Sequence, residues 1–546
     1  MTAREADPST GLFGDLPEEV SLTEEGRYAG CAPGVPCLTR AHYLPVVDDD
    51  LIELFRRARD PSNPIELRDL YLDRVECQLT GGRGDGHRAE RWRHSKRLRP
   101  FDADEILSSR AGVRAIKELF NHFFRDDLYG RLRNDTTVIL SSGAVCEETF
   151  GLPTSAKAAV RYALQRDWYG YSDSRGRVSA RAAVALLESR RIGHDYSDKN
   201  IALTMGATFA VNALADFILT GTPPTQPVLC AIPNYPPLVE NIARRAAVRL
   251  VPLPSTDGQV ALGPLIDQLR PDTPMVFLQT VFNPTGGLAS ESDLDRLIDT
   301  ASPRTLIVLD ECHEFLGNRI SRSRSRGRRN VIRVNSFSKT WSAPGMKLGW
   351  IVADQSIIND YYEFASSTYG GPPSLFYTLI ETLARFERWS EEGIVSPGPG
   401  ERAEFGEGYE IAENNLERAF LSYVTERAER EQALLRNRAA FLHGLSERGF
   451  PVHMPSHSIN AAVFDPGHGD SYTAFRELMA TNNIAVYPGI LNFCFSDALL
   501  RVTYSRRWDD LQTALDRLSR DARSAGLGVR KESILDQSHC SLLDRF

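Results

Sequence analysis

The pattern of apolar and polar residues changes character near residue 136. Before that point, DDDLIELFRRARD and AGVRAIKELFNHFF carry apolar residues at helical spacing, so both segments are predicted to be helices. After it, helical segments alternate with short apolar runs, which are NIALTMGA, PVLCAIPNY, AVRLVPLP, PMVFLQTVFNPTGG, TLIVLDE and VIRVNSFSK. This alternation predicts a mostly parallel, doubly wound α/β sheet.

The last third of the chain has a different pattern. Residues 387–410 are acidic and rich in Pro and Gly, which predicts a loop. A long helix is predicted over NNLERAFLSYVTERAEREQALLRNRAAFLHGLSERG, followed by α+β character and a final helix. We therefore predict a helical N-terminal extension of unassigned role over 1–135, a large domain over 181–374, and a smaller α+β domain over 136–180 and 375–546.

Composition narrows the class of protein. The chain has 546 residues and a formal net charge of −8, which argues against a general nucleic-acid-binding protein. It contains no run of about 18 apolar residues, and its acidic first residues do not resemble a signal peptide, so no membrane association is expected. The eight cysteines are scattered without a CxxC motif, so no metal site is predicted. Although Cys31 and Cys37 are close enough in sequence to pair, the default expectation is a reduced cytoplasmic enzyme.

Special residues follow several predicted strands of the sheet. They are Gly206, Tyr235, Asn283, Asp310 and Lys339. Because ligands of such sheets bind beyond the carboxyl ends of the strands, these residues are expected to share one site.

The residue types at these positions suit one cofactor. A lysine in the hydroxyl-rich segment SFSKTWSAPGMKLGW can form a Schiff base with an aldehyde. Asp310 ends a strand where it can hold a charged ring nitrogen, and Tyr235 can stack on an aromatic ring. A phosphate can be held by a helix N-terminus and by hydroxyl groups beside the lysine, at Gly206, Ala207, Thr208, Ser336 and Ser338. A phosphorylated aromatic aldehyde bound as an imine is pyridoxal 5'-phosphate.

From about 136 to 525 the chain resembles the class I/II aminotransferases of the aspartate aminotransferase fold, which is fold type I of the pyridoxal-phosphate enzymes. The motifs SFSK, APGMKLGW, NPTGG followed by LDE, and a late LRVTYS occur in the order and spacing of that family. The resemblance implies a seven-stranded type of sheet in the large, cofactor-binding domain. It also implies a reaction that begins with an external aldimine of an amino acid and loses the α-proton to give a quinonoid.

The resemblance assigns roles to individual residues. Lys339 becomes the Schiff-base lysine and later the base that moves the α-proton, and Asp310 pairs with the pyridine nitrogen. Asn283 bonds the 3-oxygen of the ring, Tyr235 stacks on the ring, and Arg501 grips the substrate α-carboxylate. The residues around the phosphate are Gly206, Ala207, Thr208, Ser336 and Ser338.

Two further matches concern the substrate and the assembly. Gly143 matches the glycine near the substrate carboxylate. Tyr171, in YGYSDSRG, matches a tyrosine that reaches the phosphate of the neighbouring subunit. The resemblance therefore implies a homodimer with shared active sites.

Two positions depart from the family pattern. Lys347 stands where the family has an arginine on the phosphate, so the charge is kept but the bidentate fork is lost. His313 stands where the family has a tyrosine that donates to the ring 3-oxygen; a histidine can still donate there, and it can also titrate near neutrality.

Residues 318–333 form an arginine-rich segment, NRISRSRSRGRRNVIR. One interpretation is a mobile, solvated loop. The other is a contact surface for an anionic co-substrate, such as a nucleotide or a carrier-bound phosphopantetheine group.

The main functional prediction is an aminotransferase, with a place in specialised metabolism. The alternative is a non-transaminating enzyme that catalyses β/γ-elimination, replacement or a C–C bond-forming annulation, with S-adenosylmethionine as one candidate substrate. A third hypothesis from another class is a cofactor-binding regulator without turnover, which the basic run at 87–99 keeps open.

Overall fold

The computed structural model describes residues 11–12, 43, 46–79, 101–220, 225–496 and 498–524. Cys31, Cys37 and the basic run at 87–99 lie outside these residues. Within the described part of the chain, no helix is both long enough and apolar enough to cross a membrane.

Most of the described chain is helical. The α-helices span Asp49–Arg57, Pro64–Leu79, Ala103–Leu107, Arg110–His122, Glu147–Phe150, Thr154–Gln165, Val178–Ile192, Ala207–Leu219, Pro236–Ala243, Gly263–Asp267, Glu291–Thr300, Phe337–Thr340, Gln355–Thr368, Tyr377–Glu392, Pro399–Ala403, Glu413–Glu447, Ser471–Asn482 and Trp508–Ser524. A π-helix, Phe123–Leu132, continues the helix Arg110–His122. Both N-terminal segments with helical spacing are therefore helices, as predicted.

Sixteen strands are present in the described residues. They are β1 Val138–Ile139, β2 Ile201–Thr204, β3 Val228–Ile232, β4 Val248–Pro252, β5 Ser255–Thr256, β6 Gln259–Val260, β7 Met275–Gln279, β8 Leu288–Ala289, β9 Leu306–Asp310, β10 Val331–Ser336, β11 Gly349–Val352, β12 Val452–His453, β13 Asn460–Phe464, β14 Ile484–Ala485, β15 Tyr487–Pro488 and β16 Leu499–Thr503.

Seven of these strands form the central sheet, in the order β2-β11-β10-β9-β7-β3-β4. Strand β11 runs antiparallel to both of its neighbours, whereas β10, β9, β7, β3 and β4 are parallel. Every residue of β3 and β7 is buried, because helices cover both faces of the sheet. The predicted mostly parallel α/β fold is confirmed.

Alternate residues of the central strands enter two different cores. Val228, Cys230 and Ile232 of β3 pack on one side, with the helices Ala207–Leu219 and Pro236–Ala243. Leu229 and Ala231 pack on the other side, with the helix Glu291–Thr300. This two-sided burial fixes the register of the strands and so aligns their carboxyl ends at one edge.

The C-terminal part contains a four-stranded sheet in the order β12-β13-β16-β15, with β13 antiparallel to β12 and β16. The helix Glu413–Glu447 is continuous over 35 residues, as its apolar pattern predicts. The proposed division into domains is compatible with these sheets but remains a prediction.

The loop predicted over 387–410 is wrong in part. The helix Tyr377–Glu392 extends into this segment and ends at Gly393, whose φ of 78° suits a glycine C-cap. Trp389 is buried against Phe405 and Phe420, so apolar packing stabilises the helix end. The short helix Pro399–Ala403 follows before the long helix begins.

The described part of the N-terminal extension packs into the same core as the sheet. Leu54, Phe55 and Ile116 belong to the cluster that contains Leu250 of β4 and Phe475. Polar contacts add to it, because Arg74 lies 2.9 Å from Asp470. The helices of this extension therefore form part of the globular body.

Candidate active site

A cavity of about 250 Å³ lies at the carboxyl edge of the central sheet. With the exception of Tyr171, the residues that the sequence predicts for the site all line this cavity. They are Gly143, Gly206, Ala207, Thr208, Tyr235, Asn283, Asp310, His313, Ser336, Ser338, Lys339, Lys347 and Arg501. The structure thus brings these residues together, while their individual roles remain predictions.

Lys339 lies in the short helix Phe337–Thr340, directly after β10. Its Nζ donates a hydrogen bond to the carbonyl oxygen of Gly143 at 2.6 Å. Burial, followed by the positive charge of Arg501, lowers the pKa of Lys339 to about 8. A substantial fraction of the amine is therefore neutral near pH 8, as attack on an aldehyde requires.

Asp310 ends β9 and is held by two hydrogen bonds. Its Oδ1 accepts from the backbone N–H of Cys312 at 3.1 Å, and its Oδ2 accepts from the side-chain amide of Gln279 at 3.0 Å. Burial raises the pKa of Asp310 although both bonds oppose that rise. A buried carboxylate with this raised pKa gains most from a cationic partner, such as a protonated ring nitrogen.

The N-terminus of the helix Ala207–Leu219 opens onto the cavity. Gly206, with φ of 81°, precedes this helix, and no side chain caps its first N–H groups. A Cβ atom at Gly349 would come within 2.9 Å of the Gly206 Cα, so the two glycines allow these strand ends to meet closely. Free helix N–H groups beside the exposed ammonium of Lys347 suit a phosphate.

Arg501, in β16, is buried and lines the cavity. Its Nη2 donates to the carbonyl oxygen of Ser141 at 2.7 Å, and its guanidinium lies 3.9 Å from the ring centre of Tyr487. A Cβ atom at Gly143 would lie 2.9 Å from Nη2, so the glycine keeps the guanidinium accessible. Burial lowers the pKa of Arg501, which increases the gain from an anionic ligand.

His313 is buried and its Nδ1 lies 2.8 Å from the hydroxyl oxygen of Ser458. Burial, assisted by the charges of Lys339 and Arg501, holds the pKa of His313 well below its usual value. Of the two possibilities left open for His313, donation by a neutral ring is favoured over a titration near neutrality, because the protonated ring would be desolvated between two cations.

Phe124 is a cavity residue that the sequence reasoning missed. It lies in the π-helix Phe123–Leu132 of the N-terminal extension, with its ring 6.2 Å from that of Tyr487. Phe120, one helical turn earlier, contacts the Tyr235 ring edge-on at 5.7 Å. The apolar spacing of FNHFF predicts a helix but gives no sign that its aromatic residues form an active-site wall.

Gln279 and Cys312 are also cavity residues that the sequence reasoning missed. Gln279 is the single polar residue of the otherwise apolar strand β7, and it ends that strand next to Asp310. That position at the carboxyl end is the signal that could have identified it.

Tyr171 lies outside the cavity and is fully exposed. A tyrosine with this exposure in one chain is compatible with a contact to a second subunit, and its predicted role there stays a prediction.

The arginine-rich segment lies beside a second, larger cavity of about 380 Å³, which Arg319 and Arg322 line. Most of its arginines are paired with carboxylates; these pairs are Arg322 with Glu314, Arg326 with Glu291, Glu311 and Glu314, Arg328 with Asp299, Arg329 with Asp354, and Arg333 with Glu188 and Glu311. Arg326 and Arg333 are fully buried. The interpretation of the whole segment as a solvated loop is therefore wrong, and these pairs neutralise the charge that suggested an anionic co-substrate.

We predict that Arg326→Met destabilises the fold. The Arg326 guanidinium lies 2.6 Å from Glu311 and 2.7 Å from Glu314, and without it each buried carboxylate would lose one of its two arginine partners. Breaking such a pair lowers the free energy of unfolding by about 3–5 kcal/mol, which urea unfolding followed by fluorescence will measure. Arg329→Met is the control, since Arg329 is 84% exposed and lies 3.2 Å from Asp354; a loss below about 1 kcal/mol is expected there. Equal losses in both variants would contradict the prediction.

The fold and the cavity define a class of protein. A mostly parallel seven-stranded sheet with a buried lysine, an aspartate and a free helix N-terminus at its carboxyl edge is the arrangement of the fold type I pyridoxal-phosphate enzymes. Residues 135–394 match the family model "Aminotransferase class I and II". This segment, which is just under half of the chain, is therefore similar to that family of pyridoxal 5'-phosphate-dependent transferases.

Curated relatives are aminotransferases. An aspartate aminotransferase of Sulfolobus acidocaldarius is 29% identical over 220 residues, which cover 39% of this chain and 54% of that enzyme. The aromatic-amino-acid aminotransferase 2 of Thermococcus litoralis is 24% identical over 395 residues, which cover 70% of this chain and 91% of that enzyme. The first alignment thus spans about half of the relative's length.

Solved structures share the fold. An aspartate aminotransferase mutant of Thermus thermophilus has a TM-score of 0.56 at 20% identity. The match covers 72% of this chain and 99% of the Thermus chain. The N-succinyldiaminopimelate aminotransferase of Mycobacterium tuberculosis has a TM-score of 0.58 at 22% identity. The match covers 70% of this chain and 93% of the Mycobacterium chain. At these identities the likeness concerns the fold alone.

Proposed function

We propose that the chain is an aminotransferase that acts on an α-amino acid. The observation that carries this proposal is the meeting of Lys339, Asp310 and Arg501 in one cavity, with a lysine whose pKa is lowered to about 8. The match of residues 135–394 to the class I and II aminotransferase model and the names of the relatives support the same reaction.

The residues of the cavity suit the bound cofactor and substrate. Pyridoxal 5'-phosphate supplies an electron sink that stabilises negative charge at the α-carbon of the amino acid. The helix N-terminus at Gly206 and the Lys347 ammonium would hold its phosphate, and Asp310 would hold its ring nitrogen as a cation. Lys339 would carry the α-proton on its Nζ, because burial lowers the pKa of the free amine far enough for it to act as a base.

The test is amino-acceptor dependence. The cofactor-loaded protein is incubated with a panel of amino acids, with and without a 2-oxo acid acceptor, and the new 2-oxo acid is measured by mass spectrometry. Transamination predicts a product that forms in multiple turnovers only when the acceptor is present. Acceptor-independent release of ammonia, or cleavage of S-adenosylmethionine, would overturn it in favour of the non-transaminating alternative.

We further propose a homodimer with shared active sites. The full exposure of Tyr171, at the position that the family resemblance assigns to the neighbouring phosphate, supports it. Mixing a Tyr171→Phe variant with a Lys339→Ala variant tests the sharing, because hybrid dimers would contain one site without either substitution and one site with both. The activity of such hybrids should lie above the sum of the two separate variants, and an unchanged sum in dimers shown to exchange would contradict the proposal.

We predict that Arg501→Lys weakens capture of the amino acid. A single ammonium cannot reproduce the bidentate grip of a guanidinium on a carboxylate, and it would also lose contact with the Tyr487 ring. Losing one charge-assisted hydrogen bond costs roughly 1.5–3 kcal/mol, so kcat/KM should fall by about tenfold or more through KM. Unchanged kinetics would show that another residue holds the α-carboxylate.

A further inference from the structure

His313 and Ser458 form a buried pair at the edge of the active-site cavity. His313 Nδ1 lies 2.8 Å from Ser458 Oγ, and both residues are almost fully buried. Two hydrogen bonds fix the backbone of Ser458, since its N–H donates to Phe315 O at 2.6 Å and its carbonyl accepts from the Tyr504 hydroxyl. Its φ is 82°. The serine is therefore held in a strained conformation that places its hydroxyl against the imidazole.

The hydrogen-bond partners available to the Ser458 hydroxyl determine which nitrogen of His313 carries the proton. A serine hydroxyl has one proton to donate and two lone pairs. The backbone N–H of Asn460 donates to this oxygen at 3.4 Å. Among the described residues, His313 Nδ1 is the acceptor within reach of the hydroxyl proton. If Nδ1 carried a hydrogen, that hydroxyl proton would be buried without a partner, which costs free energy.

We infer that Ser458 fixes His313 as the neutral tautomer with its proton on Nε2, so that His313 is a hydrogen-bond donor for an anionic oxygen of the cofactor. Nε2 has no hydrogen-bond partner among the described residues, and His313 lines the cavity. The charged groups that bear on the ring are Lys339, from the helix Phe337–Thr340, and Arg501, from β16. Both are cations, so an anionic oxygen is favoured there and a second positive charge on the ring is not.

In this arrangement His313 would touch the cofactor, and Ser458 is a positioning residue that acts through it. Because the neutral ring of His313 does not titrate near neutrality, its hydrogen bond to the cofactor oxygen should be equally strong across the neutral pH range. Stabilising the anionic oxygen also lowers the pH at which the visible absorption of the bound cofactor changes. Both consequences concern spectra, so they do not depend on whether the enzyme transaminates.

The first measurement uses the protein without cofactor. Long-range ¹H–¹⁵N correlation spectra of histidine-labelled protein distinguish the two neutral tautomers and the cation, and the signals of His313 are those lost in His313→Phe. The expected result is the Nε2–H tautomer, unchanged between about pH 6 and 8. An Nδ1–H tautomer or an imidazolium at pH 7 would overturn the inference.

The second measurement uses Ser458→Gly in the cofactor-loaded protein. Glycine accepts a φ of 82° without strain, so this substitution removes the hydroxyl while it relieves the backbone. In His313→Phe the midpoint of the absorption change should rise by about one to two pH units, the value for a lost hydrogen bond to a charged group. Ser458→Gly should shift the midpoint in the same direction.

The matched control is Ser505→Ala, because Ser505 is another buried serine near the site and its hydroxyl donates to Ala144 O at 3.4 Å. Its midpoint should equal that of the wild type. A wild-type midpoint in Ser458→Gly would also overturn the inference, whereas the tautomer measured in the wild type tests it even if a variant fails to bind the cofactor.

Discussion

Lys339→Ala is expected to abolish turnover and the covalent link to the cofactor together. The substitution removes both the amine that bonds the aldehyde and the base that moves the α-proton, so kcat should fall by about 10⁴-fold or more. Borohydride reduction followed by peptide mass spectrometry will show whether an adduct remains on the protein. In the wild type the adduct should lie on the peptide that contains Lys339.

Lys199→Ala is the control for the Lys339 experiment. Lys199 is exposed and lies outside the cavity, so this variant should keep both the adduct and the turnover. A reducible adduct and normal turnover in Lys339→Ala would exclude Lys339 as the reacting lysine.

Asp310→Asn should keep the shape of the site and remove its charge. Without a carboxylate, the ring nitrogen of the cofactor loses the buried partner that keeps it protonated. Separating such a pair costs about 3–5 kcal/mol, which corresponds to a fall in kcat of about 10²- to 10⁴-fold. Absorption spectra establish that the variant binds cofactor, and steady-state kinetics then measure kcat.

A milder change separates the charge of Asp310 from its orientation. Gln279→Ala removes the amide that donates to Asp310 at 3.0 Å but leaves the carboxylate in place. We expect a loss of about tenfold in kcat, since one hydrogen bond to a charged group is removed.

If cofactor-loaded Asp310→Asn kept wild-type turnover, the proposed pairing with the ring nitrogen would be wrong.

Most of the predicted site residues could be placed in one cavity from the sequence because of the geometry of parallel sheets. Asp310 and Lys339 each follow an apolar strand, and strands that run in parallel bring their carboxyl ends to one edge. The family motifs then supplied Gly143 and Arg501, which come from outside the central sheet and which strand order alone would not place there.

What the sequence could not reveal depends on contacts between distant segments. His313 and Ser458 lie 145 positions apart, and the low pKa of His313 follows from burial that no local pattern records. Arg326 illustrates the same limit. The surrounding sequence, RSRSRGRR, predicts a charged segment exposed to solvent. In the structure, however, three carboxylates from two other segments surround the Arg326 guanidinium.

The π-helix that carries Phe124 has a consequence for where the working unit of this protein begins. The family match starts at residue 135, after Phe120 and Phe124, although both line or support the cavity. The same region is tied to the helix Ser471–Asn482, since the Tyr472 hydroxyl donates to Asp127 at 2.8 Å. A recombinant fragment or chimaera cut at the boundary of the family match would open one side of the cavity to water and expose the apolar face under β4 and Phe475. Grafting of this module onto another scaffold therefore has to include the preceding helices.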